Sequence, residues 1–179
     1  MRLEDIISFW FNELEPKDWF TKNLELDQTI SSKFKGIHKQ ASQCELYSWR
    51  ETPQGALAEI VILDQFSRNI YRDNPKSFQN DTLALALSQE AISKKFDTLL
   101  SPTEKSFLYM PFMHSESVVI HEQAMTLFKQ QGLESNYDFE LKHKAIIDRF
   151  CRYPHRNKIL GRTSTKDETL FLLEPNSSF

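Results

Sequence analysis

Residues 56–63, Ala-Leu-Ala-Glu-Ile-Val-Ile-Leu, are apolar on nearly every side of a helix, and they follow directly on Thr52-Pro53. Threonine before proline is an N-cap with the proline in the first turn, so the run is predicted to be a helix. A helix without a polar face has nothing to offer water and must lie at the centre of a bundle of other helices. The punctuation of the chain agrees: 4 Gly and 7 Pro in 179 residues are too few for the many turns of an all-β protein. An all-α, single-domain helical array of roughly seven to nine helices over residues 1–179 is therefore predicted. The 14 Phe and 3 Trp supply large side chains for its core, and a chain this long can bury most of the surface it exposes when unfolded.

The remaining helices are read from apolar spacing and caps. Leu3, Ile6, Ile7, Trp10 and Leu14 predict a first helix ending before Pro16, with Phe9 and Phe11 off the stripe and a second side covered. Leu26, Ile30, Phe34, Ile37 and Ala41 predict another, with Lys33, Lys35 and Lys39 on its solvated side. Asp73-Asn-Pro75 breaks the chain, and Asp81 precedes a helix built on Leu83, Leu85, Ala86, Leu87, Ala91 and Ile92. Ser101-Pro-Thr-Glu104 is a capping box introducing a helix that Pro111 is predicted to end or kink. The helix through Val119 and Phe128 is expected to close on a left-handed Gly132; Asn136 or Asp138 should cap the next, which runs to a stop at Pro154. Ser164-Thr-Lys-Asp167 with Glu168 opens a last short helix, and of the polar tail only Phe179 is able to dock.

Charge narrows the function classes. Between Lys142 and Arg162 stand seven Lys/Arg and one acid, a segment of +6 against −9 for the rest, which together give −3. Positive charge gathered in one place points to a small anionic ligand or an acidic peptide and away from nucleic acid. Phe150 and Tyr153, interleaved with these cations, fall on the apolar face and are assigned to the core, not to base stacking. No run is long and apolar enough to span a membrane, and Glu4 and Asp5 stand where a signal peptide would carry cations. Cys44 and Cys151 form no CxxC pair and are expected to stay reduced in a cytoplasmic protein. Neither G-x-G-x-x-G nor a P-loop occurs, and no cofactor is predicted.

Arg68, Arg149, Arg152, Arg156 and Arg162, with Asn69 and Asn157, are candidates to line one anion site, because guanidinium forks match the paired oxygens of a carboxylate or phosphate. The competing reading is a scaffold in which Asp64 and Asp148 neutralise Arg68 and Arg152 within their helices. The candidates for proton transfer are His114, Glu116 and His155, the last among arginines that depress its pKa. His143 reads as a hydrogen-bonded core histidine. A metal site from His114, Glu116, His121 and Glu122 lacks the HExxH arrangement, and His121 and Glu122 are assigned to an exposed helix surface. Two segments rhyme, Leu63-Asp-Gln-Phe-Ser-Arg-Asn69 and Ile147-Asp-Arg-Phe-Cys-Arg152, each with Asp and Arg at i and i+4, as stacked helical hairpins of a solenoid would show.

Several of these segments, with Phe9-Trp-Phe11, Phe107-Leu-Tyr-Met-Pro-Phe-Met-His-Ser-Glu116, Arg149-Phe-Cys-Arg-Tyr-Pro-His-Arg-Asn157 and Leu160-Gly-Arg162, resemble the bacterial family catalogued as domain of unknown function 924. The resemblance covers almost the whole chain and implies a tetratricopeptide-like architecture; it implies no activity. The family pattern has proline where this chain has Ser67, which should relax the helix end, and glycine where it has Cys151, which should need more room.

Overall fold

The central helix opens where its cap sits: the Thr52 hydroxyl accepts from the Gly55 amide, and Pro53 begins α4 (Pro53–Val61). Every residue from Gly55 to Ser67 is buried. α4 runs without a break into a π-helical turn, Ile62–Phe66, and then into α5 (Ser67–Ile70). Ahead of it come α1 (Leu3–Ser8), prolonged by a second π turn, Phe9–Glu13, then α2 (Pro16–Phe20) and α3 (Leu24–Ser42). Behind it follow α6 (Asp81–Ser93), α7 (Pro102–Met113), α8 (Val118–Phe128), α9 (Glu134–Phe150) and α10 (Lys166–Phe171). The structure is a computed structural model that describes residues 1–175 and 177, so the docking expected of Phe179 lies outside the described residues. With 53–70 counted as one helix, nine helices and no strand stand among the described residues.

Aromatic rings tie the first half together. Trp10 meets Phe66 edge to face at 5.5 Å and Phe107 at 5.7 Å, while Phe34 lies 4.7 Å from Phe9 and 4.9 Å from Phe66. This core reaches from α1 to the start of α9, and a small second cluster of Ile146, Ile147, Tyr153 and Phe171 lies under α9 and α10. α6, α7, α8 and α9 pack in succession. Glu59, the one charged side chain of the apolar run, is fully buried and held by both arms of Arg50 at 2.7 Å. Among the described residues, no helix is long and apolar enough to cross a membrane.

Helix ends depart from the local signals. Pro111 lies inside α7, which continues to Met113 because residues 106–113 are all buried and packing holds the last turn despite one missing amide. Gly132 is left-handed, but α8 has already ended at Phe128, and the Gly132 amide bonds the Glu134 carboxylate. α9 starts at Glu134 with no side-chain cap, leaving Asn136 and Asp138 within its first turns. It stops at Cys151, whose φ of 55° turns the chain left-handed, three residues before Pro154 begins a separate 3-10 turn. The expected need for more room at Cys151 is not met, since its side chain is exposed; the demand of the position is a left-handed backbone, which glycine meets more readily than cysteine.

Candidate functional site

Three helix ends meet beside the π turn. That turn carries Asp64, whose side chain is 1% exposed; the first turn of α6 carries Asp81, the C-cap of α7 is His114, and the 3-10 turn Pro154–Arg156 brings in His155 and Arg156. Asp64 Oδ1 accepts from His114 Nδ1 at 2.7 Å and from Arg68 Nη1 at 3.0 Å, and its Oδ2 accepts from Gln65 Nε2 at 2.5 Å. Burial alone would push the Asp64 carboxyl up; Arg68, His114 and Gln65 outweigh it and hold the group well below the usual carboxylate range. An ionised carboxylate only accepts, so Nδ1 is the protonated nitrogen of His114. Burial, then Arg68, push His114 below its ordinary 6.5 against the pull of Asp64, which leaves a neutral ring with its lone pair on Nε2. Nε2 has no hydrogen-bond partner among the described residues, and the ring is 17% exposed.

Asp81 joins two guanidinium groups. Arg68 forks onto it with both contacts at 3.1 Å and also donates to the Asp64 carbonyl at 2.7 Å. Arg156 reaches Asp81 by a single contact of 3.3 Å, while its guanidinium lies 4.6 Å from both the Phe78 and the Tyr153 ring centroids, held between them like a plate. Burial and the neighbouring Arg68 push the pKa of Arg156 down. His155 lies against Tyr153 with ring centroids 5.4 Å apart and planes tilted by 38°, and is pushed to about 4, by burial first and then by Arg156; Glu116, Arg68 and His114 are all near enough to act on its charge. Arg68 and Arg156 are therefore joined through Asp81, Arg68 and His114 through Asp64, and His155 adjoins them across the Tyr153 ring.

Glu116 adjoins this group with its oxygens occupied. It receives both arms of Arg162, at 2.7 and 2.9 Å, and the Tyr153 amide at 2.8 Å; these overcome burial and keep it ionised. His121 departs from its assignment to the exposed surface. It is fully buried, with Nδ1 2.6 Å from Glu140 Oε1, because His121, Ala124 and Phe128 form the inner stripe of α8; Glu122 does point outward. His143 is buried and bonded to the Phe139 carbonyl.

The other candidates stand apart. Arg152 forks onto Glu168 at 2.6 and 2.7 Å, not onto Asp148, which pairs with Lys144, so the second rhyming segment does not reproduce the Asp64–Arg68 contact. Arg149 is exposed and stacks over Phe150 at 4.6 Å. Asn157 bonds Ser164, and Asn69 joins Arg72 on the buried Asp27. Asp81 was read only as a helix start and Phe78 was not singled out; nothing local to them announces that residues 68 and 156 converge there. Among the described residues no group of three or more His, Cys, Asp or Glu is arranged to hold a metal ion. A cavity of about 310 Å³ lies elsewhere, lined by Met1, Phe9 and Phe34 with Asp5, Glu13 and Lys33.

A sequence profile described as "Bacterial protein of unknown function (DUF924)" matches residues 6–176. The chain belongs to this family. A solved structure of a protein of unknown function from Agrobacterium tumefaciens is 33% identical, with 96% of each chain covered and a TM-score of 0.88, so the helical array of this DUF924 protein has an experimental counterpart. No curated protein matches the chain.

Proposed function

We propose that Asp64, His114, Arg68 and Arg156 form a general acid–base site for a small anionic substrate, the chemistry being hydrolysis of an ester or phosphoester. The observation that carries this reading is the Asp64–His114 hydrogen bond of 2.7 Å, which joins a buried carboxylate to a partly exposed neutral imidazole with its second nitrogen unpartnered. In such a pair Nε2 takes the proton of an attacking water, the carboxylate stabilises the imidazolium, and the proton then passes to the leaving oxygen. Arg156 is the receptor for the substrate's negative charge. It has one long contact to Asp81, whereas Arg68, Arg152 and Arg162 are each forked by a carboxylate. Simple anion capture by the whole arginine set is less well supported for that reason. The remaining expectations are proposed with it: a cytoplasmic location, in keeping with two unpaired cysteines, and a tetratricopeptide-like arrangement, in keeping with the succession α6 to α9.

The test is a panel of chromogenic phosphate and carboxylate esters, together with thermal shifts in inorganic phosphate and citrate. Turnover by the wild type is expected to fall about 100-fold or more in His114→Ala. The rise in Tm given by the anions is expected to disappear in Arg156→Ala. Activity should require the neutral ring, rising with pH through the lowered His114 pKa to a plateau at neutrality. Turnover that survives His114→Ala would end the acid–base reading. Anion stabilisation without turnover would favour a binding module whose ligand is a small anion or an acidic peptide.

A further inference from the structure

A second set of buried polar groups runs from α9 to the turn that carries His114. Glu140 and His121 are both 0% exposed, with Oε1 and Nδ1 2.6 Å apart. His121 Nε2 lies 2.9 Å from the Ser115 carbonyl and 3.3 Å from the Tyr153 hydroxyl, which is itself 2.5 Å from the Met113 carbonyl. Carbonyl oxygens only accept, so Nε2 carries a hydrogen and Tyr153 gives its own to Met113. The contact between Glu140 and Nδ1 then holds a single proton, on the acid or on the ring. Were it on the ring, a carboxylate and an imidazolium would both be buried, and the unpartnered Glu140 Oε2 would carry part of the negative charge. With the proton on the acid, Oε2 is a carbonyl oxygen, and leaving that unbonded costs far less.

We propose that Glu140 is a protonated carboxylic acid at neutral pH, donating to a neutral His121, and that this one-way chain of hydrogen bonds fixes the turn bearing His114. Glu140 donates to His121 Nδ1; His121 Nε2–H donates to Ser115 and the Tyr153 oxygen; Tyr153 donates to Met113. The two carbonyls so held flank His114, which makes Glu140, His121 and Tyr153 positioning residues. Their service to catalysis rests on the acid–base reading of the site; the protonation of Glu140 does not. Burial pushes the Glu140 carboxyl up, opposed by His121 and by the charge of Lys144 one turn along α9, itself engaged by Glu122 and Asp148. Burial also raises the Tyr153 phenol, which faces the pair from beyond α9, and His143 on α9 lies near enough that an imidazolium at His121 would lower its pKa further. From the end of α7 the groups that reach His121 and Tyr153 are the Ser115 and Met113 carbonyls. The folded chain keeps this proton above the ordinary 4.5 at which the unfolded chain releases it, so the fold weakens as pH rises from there through the folded value.

Glu140→Gln offers an amide N–H to Nδ1 in the same position and has nothing to titrate. Its Tm is expected to equal or exceed that of the wild type at neutral pH, with the margin growing from about pH 5 to about pH 8. Nitrogen-15 spectra of labelled histidines should give His121 the neutral pattern, with hydrogen on Nε2, in both proteins. An imidazolium pattern for His121, or a lower Tm of Glu140→Gln at neutral pH, overturns the protonated acid. The same spectra report on position. The His114 titration should be unchanged in Glu140→Gln and should move back toward 6.5 in Glu140→Ala or, if that variant does not fold, in Tyr153→Phe. An unmoved titration there overturns the positioning role. Absence of turnover with these spectra as expected would instead count against the acid–base reading alone.

Discussion

His155 has a pKa of about 4 in the folded chain and an ordinary 6.5 in the unfolded one. The unfolded chain therefore takes up more protons as pH falls through that window, and stability contributed by the neutral ring is lost from about 6.5 down to about 4. His155→Gln is expected to flatten this loss, measured as a smaller drop in urea midpoint between the two ends of the window. Its arginine neighbours are visible in the sequence, but the larger cause, burial against Tyr153, is not. Asp64 and His114 were each legible as polar groups at helix ends; that they meet is a contact across 50 residues, which no local pattern encodes. His121 is the opposite case. It lies three residues before Ala124 and seven before Phe128 on one helical stripe, and its charge-bearing neighbour Glu122 masked that position.

Among the elements, α4 is set against the 3-10 turn Tyr47–Glu51 at very short range. A Cβ on Gly55 would stand 2.1 Å from the Trp49 carbonyl oxygen and 2.8 Å from its carbon. Both are backbone atoms that cannot swing aside. Gly55→Ala should destabilise by about 1–3 kcal/mol, or about 3–10 °C in Tm for a chain of this size, as a calorimetric melt would report. Helix starts were legible where a side chain caps the first turn: Thr52, Ser101 and Thr165 each cap an amide within three residues, whereas α9 starts at Glu134 without such a cap. Two helix stops were not legible. Pro111 was overruled by burial, and the turn at Cys151 depends on a left-handed backbone that cysteine does not advertise.

For the whole molecule, four of the seven cations gathered between Lys142 and Arg162 are met by carboxylates, Lys144 by Glu122 and Asp148 among them. Glu116 from the turn after α7, Asp81 from α6 and Glu168 from α10 meet Arg162, Arg156 and Arg152, and Arg152 holds Glu168 at about 2. Linear charge could not reveal this, since these three acids lie between 16 and 75 positions from their arginine partners. All-helical class and central helix were legible because both follow from composition and periodicity. The π turn Ile62–Phe66 was not, and it has the widest consequence. Such a turn spreads its hydrogen bonds across one residue more than an α turn uses. Excising a single residue from it would let 53–70 wind as an ordinary α-helix and swing Ser67, Arg68 and Asn69 by about 100° away from His38, Asp81 and Asp27. Circular dichroism of that deletion should look as helical as ever while Tm collapses; an undiminished Tm would mean that this spare residue is an idle passenger in the winding of the chain.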